Sequence, residues 1–181
     1  MLKDVTIWHL ELSSPSQLVP ARPFPPRVEL RRAEVPLPEF NRFLYTAVGG
    51  DWFWIDRLPW TEDQWMRWLD RPELETWVLY VWGSPAAYFE LEIRADQRCE
   101  IAYFGVLPRF ASKGYGGPLL EAAVRRGFER GATQLLVNTC SLDHPAALAH
   151  YKKRGFVVVR KETKSKELPD RSPGPWPGAR A

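Results

Sequence analysis

Between an apolar run and a helical one, residues 107–120 read LPRFASKGYGGPLL. Gly114, Gly116 and Gly117 lie close together there, with Lys113 just ahead of them. Glycines at a strand-to-helix junction let backbone N–H groups approach an anion, and the helix N-terminus adds partial positive charge. A pyrophosphate is the natural guest. The spacing is not that of a dinucleotide-binding turn, because Leu119 stands where the third glycine is required. It is not that of a mononucleotide loop either, because Pro118 rather than lysine follows Gly117. A flexible turn that starts a helix is the plain alternative. Pro118 has no N–H, so phosphate donors come from residues 112–117.

Other residue types capable of chemistry are scattered. Glu90 and Glu92 alternate on one face of AAYFELEI, with Leu91 and Ile93 on the other. A third glutamate, Glu100, opens CEIAYFGV. For each, a solvated strand face is the plain reading. His9, His144 and His150 read first as surface or capping residues. Cys99 and Cys140 fit no metal spacing, so no metal is expected, and they suggest a reducing compartment. Cys140 has no evident histidine partner and reads as a small buried thiol. Seven of nine tryptophans fall between positions 52 and 82.

These residues must be positioned by a limited set of elements. The chain of 181 residues, 45% apolar and 26% charged, suits one globular domain. A net charge of +3 leaves no nucleic-acid footprint. Apolar runs are too short to span a membrane, and MLKDVTIWHLELSS lacks the pattern of a signal peptide, so a cytoplasmic protein is expected. Residues 1–26 read as a strand around Val5 to Leu12 followed by a proline-rich linker. A domain over 27–161 follows. Residues 162–181 read as a proline-rich tail without apolar period, expected to be disordered and, from about Leu168, dispensable.

Within the domain, RVELRRA has strand character and LPEFNRFLYTAVGG a helical face. DWFWIDRLPW has no period and reads as a loop. Thr61 and Gln64 stand at capping-box spacing ahead of a helix carrying Trp65 and Trp68. TWVLYVW and AAYFELEI, joined by GSP, form a hairpin, and CEIAYFGV adds a third strand. Helix, strand, helix and strand follow. That order predicts an α+β, α/β-like domain with a mixed, mostly antiparallel sheet flanked by helices.

Together, EIAYFGVLPRFASKGYGGPLLEAAV and LLVNTCSLDHPAALAHYKKRGF resemble the GNAT superfamily of acetyl-CoA-dependent N-acetyltransferases from about Thr76 to Arg160. The family's loop motif falls on Ala111, Ser112, Lys113, Gly114, Tyr115 and Gly116, with Ala111 in place of the usual Arg or Gln. Its second motif falls on His144, Ala147, Tyr151, Gly155 and Phe156, with His144 in place of Asn. The resemblance implies that residues 111–117 cradle the pyrophosphate of acetyl-CoA, the cosubstrate, and that His144 lies near its pantetheine arm. It implies that Phe104, Gly105 and Val106 bond that arm as an added strand would, with Gly105 allowing close approach. It implies Tyr151 as the acid that protonates the departing thiolate, and Glu100, then Glu92, as the base. It also places the acceptor at Asp51, Trp52 and Trp54, where aromatic faces and carboxylates suit a cationic amine; a small core pinning a long loop is the alternative for those rings. The implied activity is acetyl transfer to a primary amine of a small molecule or peptide by direct attack in a ternary complex. A non-catalytic acyl-CoA-binding module on the same fold is the other reading. No nucleic acid or membrane partner is expected, and a homodimer is compatible with the sequence.

Overall fold

The computed structural model describes residues 1–180. In chain order the elements are β1 (Leu2–Leu12), β2 (Val28–Ala33), α1 (Pro38–Gly49), α2 (Glu62–Leu69), β3 (Leu74–Val81), β4 (Ser84–Ile93), β5 (Arg98–Val106), α3 (Gly116–Glu129), β6 (Gln134–Cys140), α4 (Ala147–Lys153) and β7 (Val157–Glu167). The strands form one sheet in the order β2-β3-β4-β5-β6-β1-β7. Only β5 and β6 pair in parallel; the other five neighbouring pairs are antiparallel. The α+β class and the mostly antiparallel sheet expected from the element order are what the chain forms.

Alternation along the central strands gives the sheet two packed faces. Leu79, Phe89 and Leu91 point toward α3, whose Leu119, Leu120, Ala123 and Val124 are fully buried, and α4 adds Tyr151 to that side. Val78 and Tyr88 point the other way, onto Leu44 and Val48 of α1. Burying one such leucine contributes about 1.5–3 kcal/mol. The start of α2 is set as its sequence requires. Thr61 Oγ1 accepts from the Gln64 N–H, and Gln64 Oε1 accepts from the Thr61 N–H. Trp65 drops into the core beneath α1.

Two segment boundaries differ from the sequence reading. β1 is not an appendage. It lies between β6 and β7, antiparallel to both, and buries Val5, Leu10 and Leu12. β7 continues to Glu167, six residues beyond the expected boundary at 161, because Leu2 at the start of β1 offers it a partner that far. Its polar composition, VVVRKETKSKE, carries no apolar alternation because it is an edge strand with most side chains in solvent. Beyond it Leu168 is buried, and Pro169 to Arg180 form no helix or strand. Among the described residues no helix is long and apolar enough to cross a membrane.

Candidate active site

The cleft originates in a defect of the sheet. On β5, Ile101 pairs with Leu91 and Tyr103 with Glu90, so Ala102 is an extra residue bulged out of register. A bulge bends its strand and increases local twist. The parallel pairing of β5 with β6 stops at the same point, at Ile101 and Val137. Beyond it the two strands diverge and leave the edge of residues 102–106 unpaired on that side. Leu107 donates its N–H to Ala86 O on β4. Alternation therefore turns the N–H of Val106 the other way, into the opening. A cavity of about 1030 Å³ occupies the splay.

One end of this cavity is walled by Phe104, Gly105 and Val106, and by Ala111, Ser112, Gly114, Gly116 and Gly117 at the start of α3. The loop turns tightly: Ser112 and Gly114 have φ values of 61° and 88°, the latter a conformation for which glycine is suited. No carboxylate lines this end. Two expected contributors point elsewhere. Lys113 lies outside the lining, 5.8 Å from the Phe110 ring, and Tyr115 packs its side chain in the core. Gly105 lacks a side chain for a different reason from the one expected. A Cβ there would stand 2.2 Å from Val48 Cγ1, so the glycine admits α1 rather than a ligand.

Tyr151 and His144 both line the cavity. Tyr151 is held by ring contacts with Phe104, His150 and Phe156, all edge-on. Burial raises its phenol well above the ordinary value of 10, and the charge of Asp143 adds to the effect. His144 starts the turn into α4, its Nδ1 accepting from the Ala146 N–H, and meets the Trp52 ring edge-on at 5.1 Å. His150, also in the lining, stacks on Phe104, and its Nε2 is buried without a partner.

Neither Glu100 nor Glu92 reaches the cavity. The two oppose each other across β4 and β5. Like charges in that position repel, and each is neutralised by an arginine instead. Glu92 accepts from Arg71 at 2.7 Å, and Glu100 pairs with Arg94. Glu100 also accepts from Asn138 Nδ2 at 3.2 Å, so its connection to the cavity runs through Asn138, which does line it. Asp143 is the carboxylate that the sequence reading left out. Its Oδ2 accepts from Thr139 Oγ1 and the Cys140 N–H, and its Oδ1 from Trp54 Nε1 at 3.3 Å. A carboxylate has about four lone-pair sites, so three accepted bonds leave one, and Asp143 lines the cavity.

The other end of the cavity carries Asp51, Trp52, Phe53, Trp54 and Asp56 from the α1–α2 connection, with Tyr45 and Tyr103. The carboxylates of the lining (Asp51, Asp56, Asp143 and Glu162) lie at this end together with Lys164 and Lys166; Glu162 pairs with Lys164, Asp56 with Lys166 and Asp51 with Arg180, and among the described residues Asp143 alone of the four has no cationic partner. The tryptophans of this region divide between two surroundings. Trp52 and Trp54 face the cavity, while Trp60, Trp65 and Trp68 form a small core around Arg57. Arg57 is 4% exposed, lies 4.1 Å from the Tyr103 ring and donates to Glu90 Oε2 at 2.9 Å. Glu90 is fully buried and also accepts from Trp68 Nε1 and Asn41 Nδ2. Alternation on β4 marks it as solvated, and no local pattern in β4 announces the buried arginine that the α1–α2 connection brings to it.

A bulged strand splayed from its parallel neighbour, with a glycine turn at the helix beyond it, frames the cavity. Residues 39–156 match the model of the Acetyltransferase (GNAT) family, and the chain belongs to that family. Over 100 residues it is 28% identical to a mycothiol acetyltransferase of Corynebacterium efficiens, which covers 51% of this chain and 33% of that protein. Its fold resembles that of a GCN5-related N-acetyltransferase from Kribbella flavida, at a TM-score of 0.65 and 20% identity, covering 93% of this chain and 60% of the other. It also resembles the ribosomal-protein-S18-alanine N-acetyltransferase of Escherichia coli, at 0.57 and 18% identity, covering 72% and 77%. The chain thus spans a third of the curated relative and less than two thirds of the first of these structures.

Proposed function

We propose that this protein transfers an acetyl group from acetyl-CoA to a primary amine, by direct attack in a ternary complex. One observation carries the reading. The free edge of Phe104–Val106, the glycine turn and Tyr151 line a single cavity whose far end holds Asp143, a carboxylate without a cationic partner among the described residues. In this reading backbone N–H groups of residues 112–117 take the pyrophosphate at the carboxylate-free end, so the Ala111 departure is tolerated. Lys113 is a screening charge at most. The Val106 N–H polarises the thioester carbonyl and stabilises the oxyanion of the tetrahedral intermediate.

The amine arrives from the far end between Trp52 and Trp54. Asp143, with a free lone pair and a charge that bears on Tyr151, holds it as an ammonium ion and directs its proton toward solvent. The neutral amine then attacks the carbonyl carbon, and the C–S bond breaks as the intermediate collapses. Tyr151 gives its proton to the thiolate and regains one from the attacking nitrogen through water. A raised phenol pKa keeps that proton in place at neutral pH. Glu100 acts through Asn138 as a positioning residue, and Glu92 has no step. The acceptor is an amine of a small molecule or peptide.

The test is an amine-library screen that detects free coenzyme A thiol. Amine-dependent thiol release supports the reading. Tight acetyl-CoA binding without release to any amine would favour an acyl-CoA-binding module instead.

A further inference from the structure

The end of the chain folds back onto the Asp51 end of the cavity. Past β7, Leu168 is buried, donates its N–H to Met1 O and accepts from the Met1 ammonium group. The following residues cross to the α1–α2 connection, where Gly174 donates its N–H to Gly50 O at 3.0 Å. The backbones approach so closely that a Cβ on Gly50 would stand 2.2 Å from Gly174 O. Arg180 then sets Nε 2.9 Å from Asp51 Oδ1 and Nη2 2.6 Å from Asp51 Oδ2. Two parallel bonds from a planar fork match a guanidinium, whereas an ammonium group can offer only a point charge.

We propose that Asp51 is a guanidinium-binding position at the acceptor end, occupied in cis by Arg180, and that a cationic acceptor competes with this tethered guanidinium for the carboxylate. The inference rests on the reading of this end as the acceptor site. Asp51 lines the cavity beside Trp52, whereas Arg180 does not, so the guanidinium holds this carboxylate from outside the cavity and competes for it with any cation inside. The pair is built to exchange. Arg180 is half exposed and Asp51 about a quarter exposed, and ion pairs of that kind are weak. The tether compensates by keeping the guanidinium at high local concentration. Asp56 differs, since its partner Lys166 projects from β7 and stays in place when the tail leaves.

The experiment titrates the full chain with L-argininamide and with L-lysinamide, following tryptophan fluorescence, for wild type, Arg180→Gln and Asp51→Asn. Exchange of the Gly174 amide is followed by NMR in the same samples. Arg180→Gln is expected to bind argininamide about two- to fivefold more tightly than wild type, the range that a weak surface pair allows. Argininamide should outbind lysinamide, Asp51→Asn should weaken argininamide binding, and argininamide should speed Gly174 exchange in wild type. Equal argininamide affinity in wild type and Arg180→Gln, insensitivity to Asp51→Asn, or an unprotected Gly174 amide in the free protein would each overturn the proposal. Acetyl-CoA binding measured alongside separates the two ideas: its absence with the argininamide results intact sinks the acetyl-transfer reading and leaves the guanidinium position standing.

Discussion

In the proposed reaction, Tyr151 is the single residue that carries the acid step. Replacing it with Phe keeps the ring contacts to Phe104 and Phe156 but removes the proton donor. General acid catalysis is worth roughly 10²–10⁴-fold, so the single-turnover rate of Tyr151→Phe should fall by about that factor while acetyl-CoA affinity holds. An unchanged rate would make water the donor. Burial raises this phenol, and the acid form survives at any pH below its ordinary value. Wild-type activity should therefore show no alkaline loss assignable to a tyrosine below about pH 10. Tyr151, the loop glycines and His144 were legible because the motifs fix them relative to one another in sequence. The base was not. Glu100 and Glu92 are neighbours in register, and that register consigns both to arginines. Asp143 is placed by the turn between β6 and α4, a geometry that no periodicity announces.

At the scale of elements, the α1–α2 connection walls the end of the cavity to which the proposed function assigns the acceptor. Its anchor is the buried pair of Arg57 and Glu90. Arg57→Ala would leave Glu90 buried without its cation, at a cost of about 3–5 kcal/mol in urea unfolding. The double variant Arg57→Met with Glu90→Leu should recover most of that stability. If the single variant cost less than about 1 kcal/mol, Arg57 would not be the anchor. Trp54→Phe removes the Nε1 donor to Asp143 while keeping an aromatic ring between Tyr45 and Tyr103. Its expected effect is a higher KM for the amine with acetyl-CoA affinity intact; an effect on the coenzyme alone would place Trp54 in the wrong half of the cavity. Helix α2, the β3–β4 hairpin and α3 were legible from caps, turns and spacing. The Ala102 bulge that opens the cavity was not, because CEIAYFGV reads as an uninterrupted strand until its two neighbours are known.

Taken whole, the molecule is held together on the side of α3 by a charged cluster remote from the cavity. Glu75 is buried and accepts from Arg126, Arg130 and Trp77. Burial pushes its carboxyl up, but the bonds from Arg126, Trp77 and Arg130 outweigh that and hold it at about 2, below the ordinary 4.5. A depressed folded-state pKa contributes stability above the unfolded value and loses it as pH falls through the folded one. Wild type should accordingly lose roughly 3 kcal/mol between about pH 5 and pH 2 from this group, a loss that Glu75→Gln lacks. Parallel urea curves for the two proteins across that range would refute the assignment. Truncation after Leu168 should leave the melting temperature within a few degrees, whereas truncation after Glu167 also removes a buried leucine worth about 1.5–3 kcal/mol. The limits of the sheet escaped the sequence because β7 is polar and β1 finds both partners more than 120 residues away. The central claim is that the splay between β5 and β6 holds acetyl-CoA with its pyrophosphate on the glycine turn. The most direct measurement is calorimetric titration of wild type and Gly116→Asp with acetyl-CoA, with melting curves to confirm that both are folded. Saturable one-site binding by wild type, weakened at least about tenfold by a carboxylate facing the pyrophosphate, is the predicted result. Equal affinity in a folded Gly116→Asp, or no binding by wild type, would contradict it.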